Sequence, residues 1–540
     1  MSKYIFVVGG VMSGVGKGTA CASIGKILQN KGLKVTALKI DPYINVDAGT
    51  MNPVEHGEVF VTDDGDETDQ DVGTYERFLD TTINSGNYMT TGRVYQTVIE
   101  RERNLEYGGK CVEVVPHVPD EVVRRIHLAA KAAKADVTLI EIGGTIGEYQ
   151  NILFLEAARM MKLAAAKDVL FVLVSYLPIP GNLGEMKTKP TQYASRSLNS
   201  AGIQADIIIA RAAQPIDEPR SKKLALSCGV DEKDIISAPD INSIYKVPLN
   251  FEAQHLADRI LEKFGMKRRK GKNMSDWRRM VAVSEHAKRK VRIGVIGKYF
   301  STGDFTLSDV YLSVIEATKH AAWFQGAKPE LVWLNSEVYE KDPSKLKELK
   351  GVDGVIIPGG FGSRGVEGKI AAIQYVRINK IPYLGLCYGM QLAVVEFARH
   401  VAGMKSANTA EIKPDVIQPV IHIMSDQENI VATKKYGGTM RLGAYPCILN
   451  QKSKSRAAYG VQRISERHRH RYELNNQYRE LFEQKGMLVA GTSPDNKLVE
   501  IIELPEHPFF VGTQFHPEFK SRPTRPHPLF REFIRAAMKK

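Results

Sequence analysis

Residues 3–41 read KYIFVVGGVMSGVGKGTACASIGKILQNKGLKVTALKID, and this stretch decides the fold. KYIFVVGG predicts a short buried strand, GTACASIGKILQNKG predicts a helix that ends at a glycine, and LKVTALKID predicts the next strand. The same strand pattern returns in ADVTLIEIGG and DVLFVLVSYL. Strands that alternate with helices in this way indicate an α/β domain with a doubly wound parallel sheet.

A second α/β pattern begins at VRIGVIGKY and continues through VDGVIIPGG and IPYLGLC. Before it, residues 266–290 carry ten Lys or Arg against two acidic residues, and we interpret the first part of this stretch as an exposed linker. The predicted division is a first doubly wound domain at 1–265, a basic linker at 266–290 and a second doubly wound domain at 291–540. Since ligands bind at the carboxyl ends of parallel strands, each domain offers one candidate site.

Composition sets limits on the class of protein. The chain has 540 residues, 43% of them hydrophobic and 25% charged, which suits two or more globular domains. No apolar run is long enough for a membrane span, and the N-terminus lacks the pattern of a signal peptide. Five scattered cysteines without metal-site spacing indicate a reducing compartment, so we expect a cytoplasmic protein. The net charge of +13 suits either nucleic acid or polyphosphate substrates.

The first candidate site is the glycine loop GGVMSGVGKGT, residues 9–19, which follows a strand and opens a helix. Glycines allow tight turns, and the backbone N–H groups at a helix N-terminus bind phosphate. Lys17 would add a positive charge. The strict phosphate-loop pattern is not met, because Val11 stands at its first glycine and Gly18 stands where Ser or Thr should follow the lysine. A glycine turn without a ligand remains the alternative.

Phosphoryl transfer also needs a cation held by oxygen ligands. We nominate two carboxylates for Mg²⁺: Asp71 in ETDQDVGTYERF, and Glu141 at the end of the strand VTLIEIGG. Either residue taken alone would more simply be a surface or capping acid. Glu141 gains weight because it lies at the end of an apolar strand where ligands bind.

The second candidate site centres on Cys387 in YLGLCYGMQ, between an apolar strand and a predicted helix. The helix start would lower the pKa of the thiol and supply an N–H group for an oxyanion. In TQFHPEF, His516 can act as base to the thiol and Glu518 can orient the imidazole. The glycine-rich run PGGFGSRG would supply the groups that stabilise the negative charge formed in the reaction. A buried structural cysteine is the alternative.

Several runs of the first half closely resemble the synthetase domain of the CTP synthase family: LKIDPYINVDAGTMNPVEHGEVFVTDDGDETDQDVGTYERF, EIGGTIGEYQN, KTKPTQ and DINSIYKVP. The resemblance implies Mg²⁺ on Asp71 and Glu141. The implied ATP contacts are Gly14, Val15, Gly16, Lys17, Gly18, Thr19, Lys39, Asp71, Asp240 and Ile241. The implied UTP or CTP contacts are Ser13, Glu148, Tyr149, Gln150, Lys187, Thr188, Lys189, Pro190, Thr191, Gln192 and Lys223.

One segment departs from the family pattern. After GGT the family usually reads GDIES, whereas this chain reads GEYQN. Glu148 keeps the usual acid one methylene longer, but Gln150 lacks the usual glutamate charge. Inhibition by the product CTP is therefore the least secure of the implied properties.

From about Val291 to the end, PGGFG, GLCYGMQ and QFHPE resemble the class I glutamine amidotransferase domain. In that family the cysteine attacks the glutamine amide to give a thioester and ammonia. The resemblance implies an oxyanion held by the backbone of Gly360 and Tyr388. The implied glutamine contacts are Gly360, Tyr388, Gly389, Met390, Gln391, Glu411 and Arg471. Pro53, His56 and Val59 are implied to lie along the passage of ammonia.

GGTMRLG, residues 437–443, resembles the family segment that binds the activator GTP, which implies contacts from Thr439 and Arg441. The opposing loop EYGGKC has Gly108, followed by Gly109, where family members often carry leucine. The resemblance as a whole implies ATP-dependent amination of UTP to CTP through a 4-phosphorylated intermediate. It also implies glutamine as nitrogen donor and a homotetramer.

Three other functions remain as alternatives. A related ATP-dependent amidoligase, such as a corrinoid-precursor amidase, would share the phosphate loop and the glutaminase, but KTKPTQ and DPYINVD favour the CTP synthase family. A filament-forming protein with inactive domains is disfavoured by the intact candidate residues of both sites. A nucleic-acid-binding protein would rest on the basic linker and on ERHRHR. We expect no nucleic-acid or membrane partner.

Overall fold

The computed structural model describes residues 2–181, 184–271, 273–298, 308–424, 427 and 437–539. The chain divides into two compact units. The first unit comprises residues 1–48 and 71–278, and the second comprises residues 49–70 and 279–540. The predicted division assigned residues 49–70 to the first domain, whereas packing groups them with the second unit.

A seven-stranded, fully parallel sheet forms the centre of the first unit. Its strands are rich in Val, Ile, Leu and Phe and are buried almost throughout, as expected when helices cover both faces. In spatial order the strands are Tyr88–Thr90, Val35–Asp41, Val137–Ile142, Lys3–Gly10, Val169–Tyr176, Ile207–Ala212 and Ile235–Pro239.

The helices of the first unit bring several chain segments to the carboxyl edge of this sheet. The helix that opens from the glycine loop, Lys17–Asn30, buries Ala20, Ile24, Ile27 and Leu28 against the sheet side of the unit. The remaining helices in this part of the chain are Gln70–Leu79, Thr91–Arg103, Val114–Ala133, Ile152–Ala164, Lys189–Ser200, Glu218–Cys228, Val247–Ala253, Leu256–Phe264 and Ser275–His286.

A nine-stranded mixed sheet forms the centre of the second unit. Five neighbouring strands pair in parallel, and the remaining four continue the sheet in antiparallel order. In spatial order they are Ala327–Asn335, Arg289–Gly297, Gly354–Ile357, Tyr383–Leu386, Phe510–Thr513, Val499–Glu503, Leu488–Thr492, Arg441–Leu449 and Arg463–His470. The predicted α/β class is confirmed, and the antiparallel half of this sheet was not predicted.

Shorter elements complete the second unit. Ala407–Thr409, Gln418–Ile423 and Tyr472–Leu474 form a three-stranded sheet, and Phe60–Val61 pairs with Glu67–Thr68. The helices are Pro53–His56, Leu312–Phe324, Ser336–Lys341, Val366–Ile378, Tyr388–His400, Lys454–Tyr459, Arg479–Gln484 and Pro528–Ala537.

The predicted basic linker is only partly irregular. Residues 266–271 are non-helical and mostly exposed, and residue 272 lies outside the described residues. Ser275–His286 forms a helix whose Trp277 is buried and donates from Nε1 to the carbonyl of Tyr245. Within the described part of the chain, none of the helices combines the length and apolar character that crossing a bilayer requires.

Candidate active sites

The glycine loop of the first unit turns directly from the end of Lys3–Gly10 into the helix Lys17–Asn30. Gly14 and Gly16 have φ angles of 70° and 91°, a region that favours glycine. Among the described residues, no side chain caps this helix, so the N–H groups of its first turn are available to an anion.

Lys17 lies beside this turn with its side chain buried. Its Nζ donates to the carbonyl of Gly144 at 2.7 Å, which places the ammonium at the carboxyl edge of the sheet. Burial lowers the pKa of Lys17, and the nearby carboxylate of Glu141 opposes that shift. A polyphosphate would favour the charged amine in the same way.

The predicted metal ligands Asp71 and Glu141 meet around a third side chain, Lys39. Lys39 Nζ donates to Asp71 Oδ2, and it lies 3.3 Å from Glu141 Oε1 and 3.6 Å from Asp41 Oδ1. The hydroxyl of Tyr75 donates to the second oxygen of Glu141. The structure therefore gathers three carboxylates and one ammonium at the edge of the sheet where Lys17 lies.

Burial raises the pKa of Glu141 to about 7, and the charge of Asp71 adds to the shift. Burial likewise raises the pKa of Asp41 to about 6. Buried carboxylates this close together resist simultaneous ionisation, and a divalent cation with oxygen ligands removes that penalty. The residues present therefore fit Mg²⁺, with Asp71 and Glu141 as its ligands.

A cavity of about 240 Å³ adjoins the glycine loop. Gly16 and Thr19 line it together with Asp240 and Ile241, the two residues predicted to contact adenine. Its other walls are mainly apolar, which suits a nucleobase. Arg211 also lines the cavity and pairs with Asp240, and nothing in the sequence around Arg211 had pointed to it.

The residues predicted to contact UTP or CTP lie in two main segments, with Ser13 in the glycine loop and Lys223 on the helix Glu218–Cys228. In the first segment Glu148 Oε1 accepts from the Thr145 N–H at 2.9 Å, and its other oxygen accepts from Gln150 Nε2 at 3.0 Å. Tyr149 is 88% exposed. Glu148 also contributes to the electrostatic environment of Lys17, so the departure GEYQN lies beside the phosphate site.

The second segment, KTKPTQ, runs from a loop into a helix. Lys189 and Pro190 open the helix Lys189–Ser200, which packs against the end of the first strand: a β-carbon on Gly10 would lie 2.4 Å from that of Ala194. Lys187 donates to Glu185 at 2.6 Å, and the charge of Lys223 also acts on Glu185. Buried Thr191 accepts from Ser175, Thr188 accepts from Gln192, and Ser13 lies in the exposed glycine loop.

In the second unit, Cys387 occupies the sharp turn between Tyr383–Leu386 and the helix Tyr388–His400. Its backbone has φ 48° and ψ −99°, and its N–H donates to the carbonyl of Thr513 at 2.6 Å. A non-glycine residue with positive φ is uncommon and marks a strained turn. Gly389 makes the turn possible, since a β-carbon there would lie 2.2 Å from the carbonyl oxygen of Ile357.

His516 and Glu518 form the predicted pair, with His516 Nδ1 2.7 Å from Glu518 Oε1. Burial lowers the pKa of His516, but Glu518 and Cys387 outweigh it and raise that pKa to about 10. At neutral pH the imidazole therefore holds a proton beside the sulfur of Cys387. Gly359 leaves room for the ring, because a β-carbon there would lie 2.7 Å from His516 Cε1.

A cavity of about 510 Å³ opens over the sulfur. Gln391, Glu411 and Arg471 line it, as predicted for glutamine contacts, and so does Gly360. Tyr388 reaches the same loop, since its hydroxyl donates to the carbonyl of Gly362 at 2.8 Å. The other lining residues are Gly49, Thr50, Pro53, Glu58, Val59, Val310, Tyr311, Val314, Pro358, Gly359, Phe361, Met440, Arg469, His470, Tyr472, His516, Glu518 and Phe519.

Contacts within the site hold these side chains in place. Glu411 Oε1 accepts from the Gly362 N–H at 2.8 Å, and Gln391 Nε2 donates to the carbonyl of Tyr472 at 2.9 Å. Tyr388, Gly389 and Met390 are not among the residues that line the cavity, and Met390 is fully buried, with its side chain 3.0 Å from where a β-carbon on Gly512 would lie. Its side chain packs in the core and not in the cavity.

In the run ERHRHRYE, residues 466–470 belong to the edge strand Arg463–His470 and residues 471–473 follow it. The run is largely buried. Arg467 is 1% exposed and pairs with Asp63, and Arg469 Nε donates to Glu67 Oε1 at 2.8 Å. These arginines bind acids of the second unit's own segment 49–70. Their burial removes ERHRHR as an exposed basic patch, whereas the basic residues 267–270 of the linker stay exposed.

The residues predicted to contact GTP differ in their surroundings. Thr439 Oγ1 accepts from Arg471 Nη2 at 2.9 Å, next to the glutamine cavity. Arg441 is buried and pairs with Glu500 at 2.7 Å. Gly108 and Gly109 both have positive φ and lie in a loop of the first unit with open space around them.

Comparison with known proteins gives two family matches that together cover most of the chain. The family described as CTP synthase N-terminus matches residues 3–266, and the glutamine amidotransferase class-I family matches residues 306–536.

Relatives match along the whole chain. A CTP synthase of Carboxydothermus hydrogenoformans is 52% identical over 540 residues, covering 100% of this chain and 99% of that protein. One of Listeria monocytogenes is 48% identical over 539 residues, with the same coverage of 100% and 99%. A solved structure of the glutaminase domain of Trypanosoma brucei CTPS with bound acivicin is 37% identical, with a TM-score of 0.43, and covers 46% of this chain and 94% of that one.

Proposed function

The chain belongs to the CTP synthase family and is a ligase that forms a carbon–nitrogen bond, and we propose that it converts UTP to CTP with nitrogen taken from glutamine. The resemblance read from the sequence is confirmed by these matches. The observation that carries the proposal is the group Cys387, His516 and Glu518 in a cavity, within a chain whose first unit holds a phosphate loop.

Ammonia is released in the second unit. The thiolate of Cys387 attacks the amide carbon of glutamine, and the N–H groups of Gly360 and Tyr388 stabilise the oxyanion. The proton of His516 passes to the leaving nitrogen, so ammonia departs and a thioester remains. Water then hydrolyses the thioester to glutamate, with His516 as base and Glu518 fixing the orientation of the ring.

Carbonyl activation takes place in the first unit. The oxygen on C4 of uracil is a poor leaving group, so transfer of the γ-phosphoryl of ATP to it gives a 4-phosphorylated intermediate, from which ammonia displaces phosphate. The N–H groups after Gly16 and the ammonium groups of Lys17 and Lys39 stabilise the charge of the phosphates. When bound, Mg²⁺ on Asp71 and Glu141 neutralises phosphate oxygens and orients them.

The proposed nucleotide contacts rest on where the candidate residues lie at the edge of the sheet. The cavity at Asp240 and Ile241 suits adenine because it adjoins the phosphate loop and is mainly apolar. The two segments that contain Glu148 and KTKPTQ suit UTP, and CTP as product and inhibitor, because they lie at the carboxyl edge of the same sheet. The other nucleotide contacts that the family resemblance implies are part of the same proposal.

GTP is proposed as an activator that acts on the glutaminase. The contact between Thr439 and Arg471 supports this, because a nucleotide bound at Thr439 would act on a residue that lines the glutamine cavity. Arg441 would have to leave Glu500 to contribute its guanidinium. Homotetramer assembly is a proposal that rests on the family alone.

The test is CTP formation from UTP, ATP and Mg²⁺, with glutamine or with ammonium as nitrogen source, measured by nucleotide chromatography. We expect CTP with either source, and a Cys387→Ser variant should form CTP only with ammonium. GTP should raise the glutamine-dependent rate. Folded wild-type protein that forms no CTP from either source would contradict the proposal.

A further inference from the structure

Residues 49–70 form one wall of the glutaminase cavity. Gly49, Thr50, Pro53, Glu58 and Val59 all line it. Most of this segment is not held by a long strand or helix, since its elements are a single helical turn and two strands of two residues each. Other contacts must therefore keep it against the cavity.

Charged side chains supply those contacts. Glu67 is 2% exposed and accepts from Arg469 at 2.8 Å, while Asp63 accepts from Arg467 and lies 3.4 Å from Lys520 Nζ. The two arginines alternate along Arg463–His470, so one face of that strand presents two cations to two acids of the segment.

Further contacts act beside these pairs. Glu58 accepts from the Ser313 N–H at 3.0 Å and so caps the helix Leu312–Phe324. The Ala444 N–H donates to the carbonyl of Asp63 at 2.8 Å, and a β-carbon on Gly65 would lie 3.0 Å from the carbonyl of Leu442. The acid–base pairs therefore hold the segment where its backbone contacts the backbone of the strand Arg441–Leu449.

Arg469 joins this wall to the nucleophile. Its backbone carbonyl accepts from the Cys387 thiol at 3.7 Å, its Nε reaches Glu67, and its Nη2 donates to the carbonyl of Gly49 at 3.3 Å. Gly49 itself lies against the carboxylate, since a β-carbon there would lie 2.1 Å from Glu67 Oε2. Loss of the contacts of Glu67 would therefore release the segment at Gly49, which lines the glutaminase cavity.

The consequence concerns ammonia. Ammonia that escapes into neutral water is diluted and mostly protonated to ammonium, which is not nucleophilic, so little of it takes part in the synthetase reaction. From these contacts we propose that Asp63 and Glu67, paired with Arg467 and Arg469, are positioning residues that keep the segment closed over the glutaminase cavity and so retain ammonia. This inference rests on the proposed function.

Glu67→Gln in the full-length enzyme tests it, because the amide keeps the size of the side chain and removes its charge. Glutamate and CTP are measured together during turnover with glutamine, and CTP formation is measured separately with ammonium. We expect a severalfold rise in glutamate released per CTP formed, with the ammonium-dependent rate unchanged. Arg463→Gln, an exposed arginine on the same strand, is the matched control and should keep the wild-type ratio.

An unchanged ratio in folded Glu67→Gln that turns over glutamine would overturn the inference, and so would an equal loss of both activities. If Glu67→Gln does not fold, Asp63→Asn provides the same reading, because its carboxylate is 35% exposed and its loss is better tolerated. Failure of the proposed function would look different, since the wild-type enzyme would then form no CTP with ammonium.

Discussion

Gly18 and Asp71 meet at the first turn of the phosphate-loop helix, where a β-carbon on Gly18 would lie 2.1 Å from Asp71 Oδ1. The usual phosphate loop has Ser or Thr at this position, and its hydroxyl binds Mg²⁺. Here the missing side chain leaves space for a carboxylate. We propose that Asp71 supplies the oxygen ligand at this place, which would explain the departure from the motif.

Gly18→Ala should displace the carboxylate of Asp71 and impair the synthetase reaction. A shift of about 1 Å in a catalytic group costs on the order of 100-fold in rate, so we expect about that loss in ammonium-dependent CTP formation. Glutamine hydrolysis at Cys387, measured as basal glutamate release, is the internal control. Since Ala also favours a helix over Gly by about 0.5–1 kcal/mol, the variant should remain folded. Full activity in Gly18→Ala would show that Asp71 does not need this space.

Glu518→Gln should change the pH dependence of the glutaminase. Burial alone would lower the pKa of His516, and the charges of Glu518 and Cys387 raise it to about 10. Removing one of these charges lowers that pKa, so the imidazole loses its proton at a lower pH. We expect a rate about 100-fold lower and a basic limb of the glutamate-release profile moved to lower pH.

The control for this variant is CTP formation with ammonium, which does not use His516 and should keep its pH profile. A lower rate with an unmoved basic limb would contradict the role given to Glu518. It would leave the residue as a support of packing around the ring.

Local patterns predicted the parts of both sites that lie next to each other along the chain. The strand, glycine loop and helix of residues 3–30 and the turn at Cys387 follow from apolar runs interrupted by glycine, and the structure has them there. His516 and Glu518 are two residues apart, so an extended backbone places both on one side. The structure shows that pair in contact, but at the start of the 3₁₀ turn Pro517–Lys520 and not on an extended segment.

The contacts that the sequence did not reveal are ion pairs between residues far apart along the chain. ERHRHR looked like a solvated or nucleic-acid-binding run because Asp63 and Glu67, which neutralise Arg467 and Arg469, lie some four hundred positions earlier. Arg211 reaches Asp240 only because their two strands are neighbours in the sheet. None of these three arginine–acid contacts has a local signature, since charge pairing carries no fixed spacing outside a helix.

Lys369 leads to a prediction about stability. It is 1% exposed on the helix Val366–Ile378, and its Nζ lies 5.3 Å from the centre of the Tyr388 ring. Burial, aided by the charge of Lys298, lowers the pKa of Lys369 from 10.5 to about 7, although Glu411 opposes the shift. Between about pH 7 and pH 10.5 the side chain of Lys369 is therefore deprotonated in the folded protein and protonated in the unfolded chain.

Stability rises with pH wherever the unfolded state binds more protons. The destabilising contribution of Lys369 is therefore fully present below about pH 7 and disappears as pH rises towards 10.5. Lys369→Met removes this contribution and fills a similar volume, so we expect it to stabilise the second unit at pH 7 by on the order of 3 kcal/mol.

Calorimetry should show a Tm several degrees above that of the wild type at pH 7, and the difference should shrink by pH 9.5. Lys350→Met, at an exposed lysine, should leave Tm unchanged at both pH values. An equal or lower Tm for Lys369→Met at pH 7 would mean that the ammonium of Lys369 is stabilised in the folded protein, in which case its pKa is not lowered.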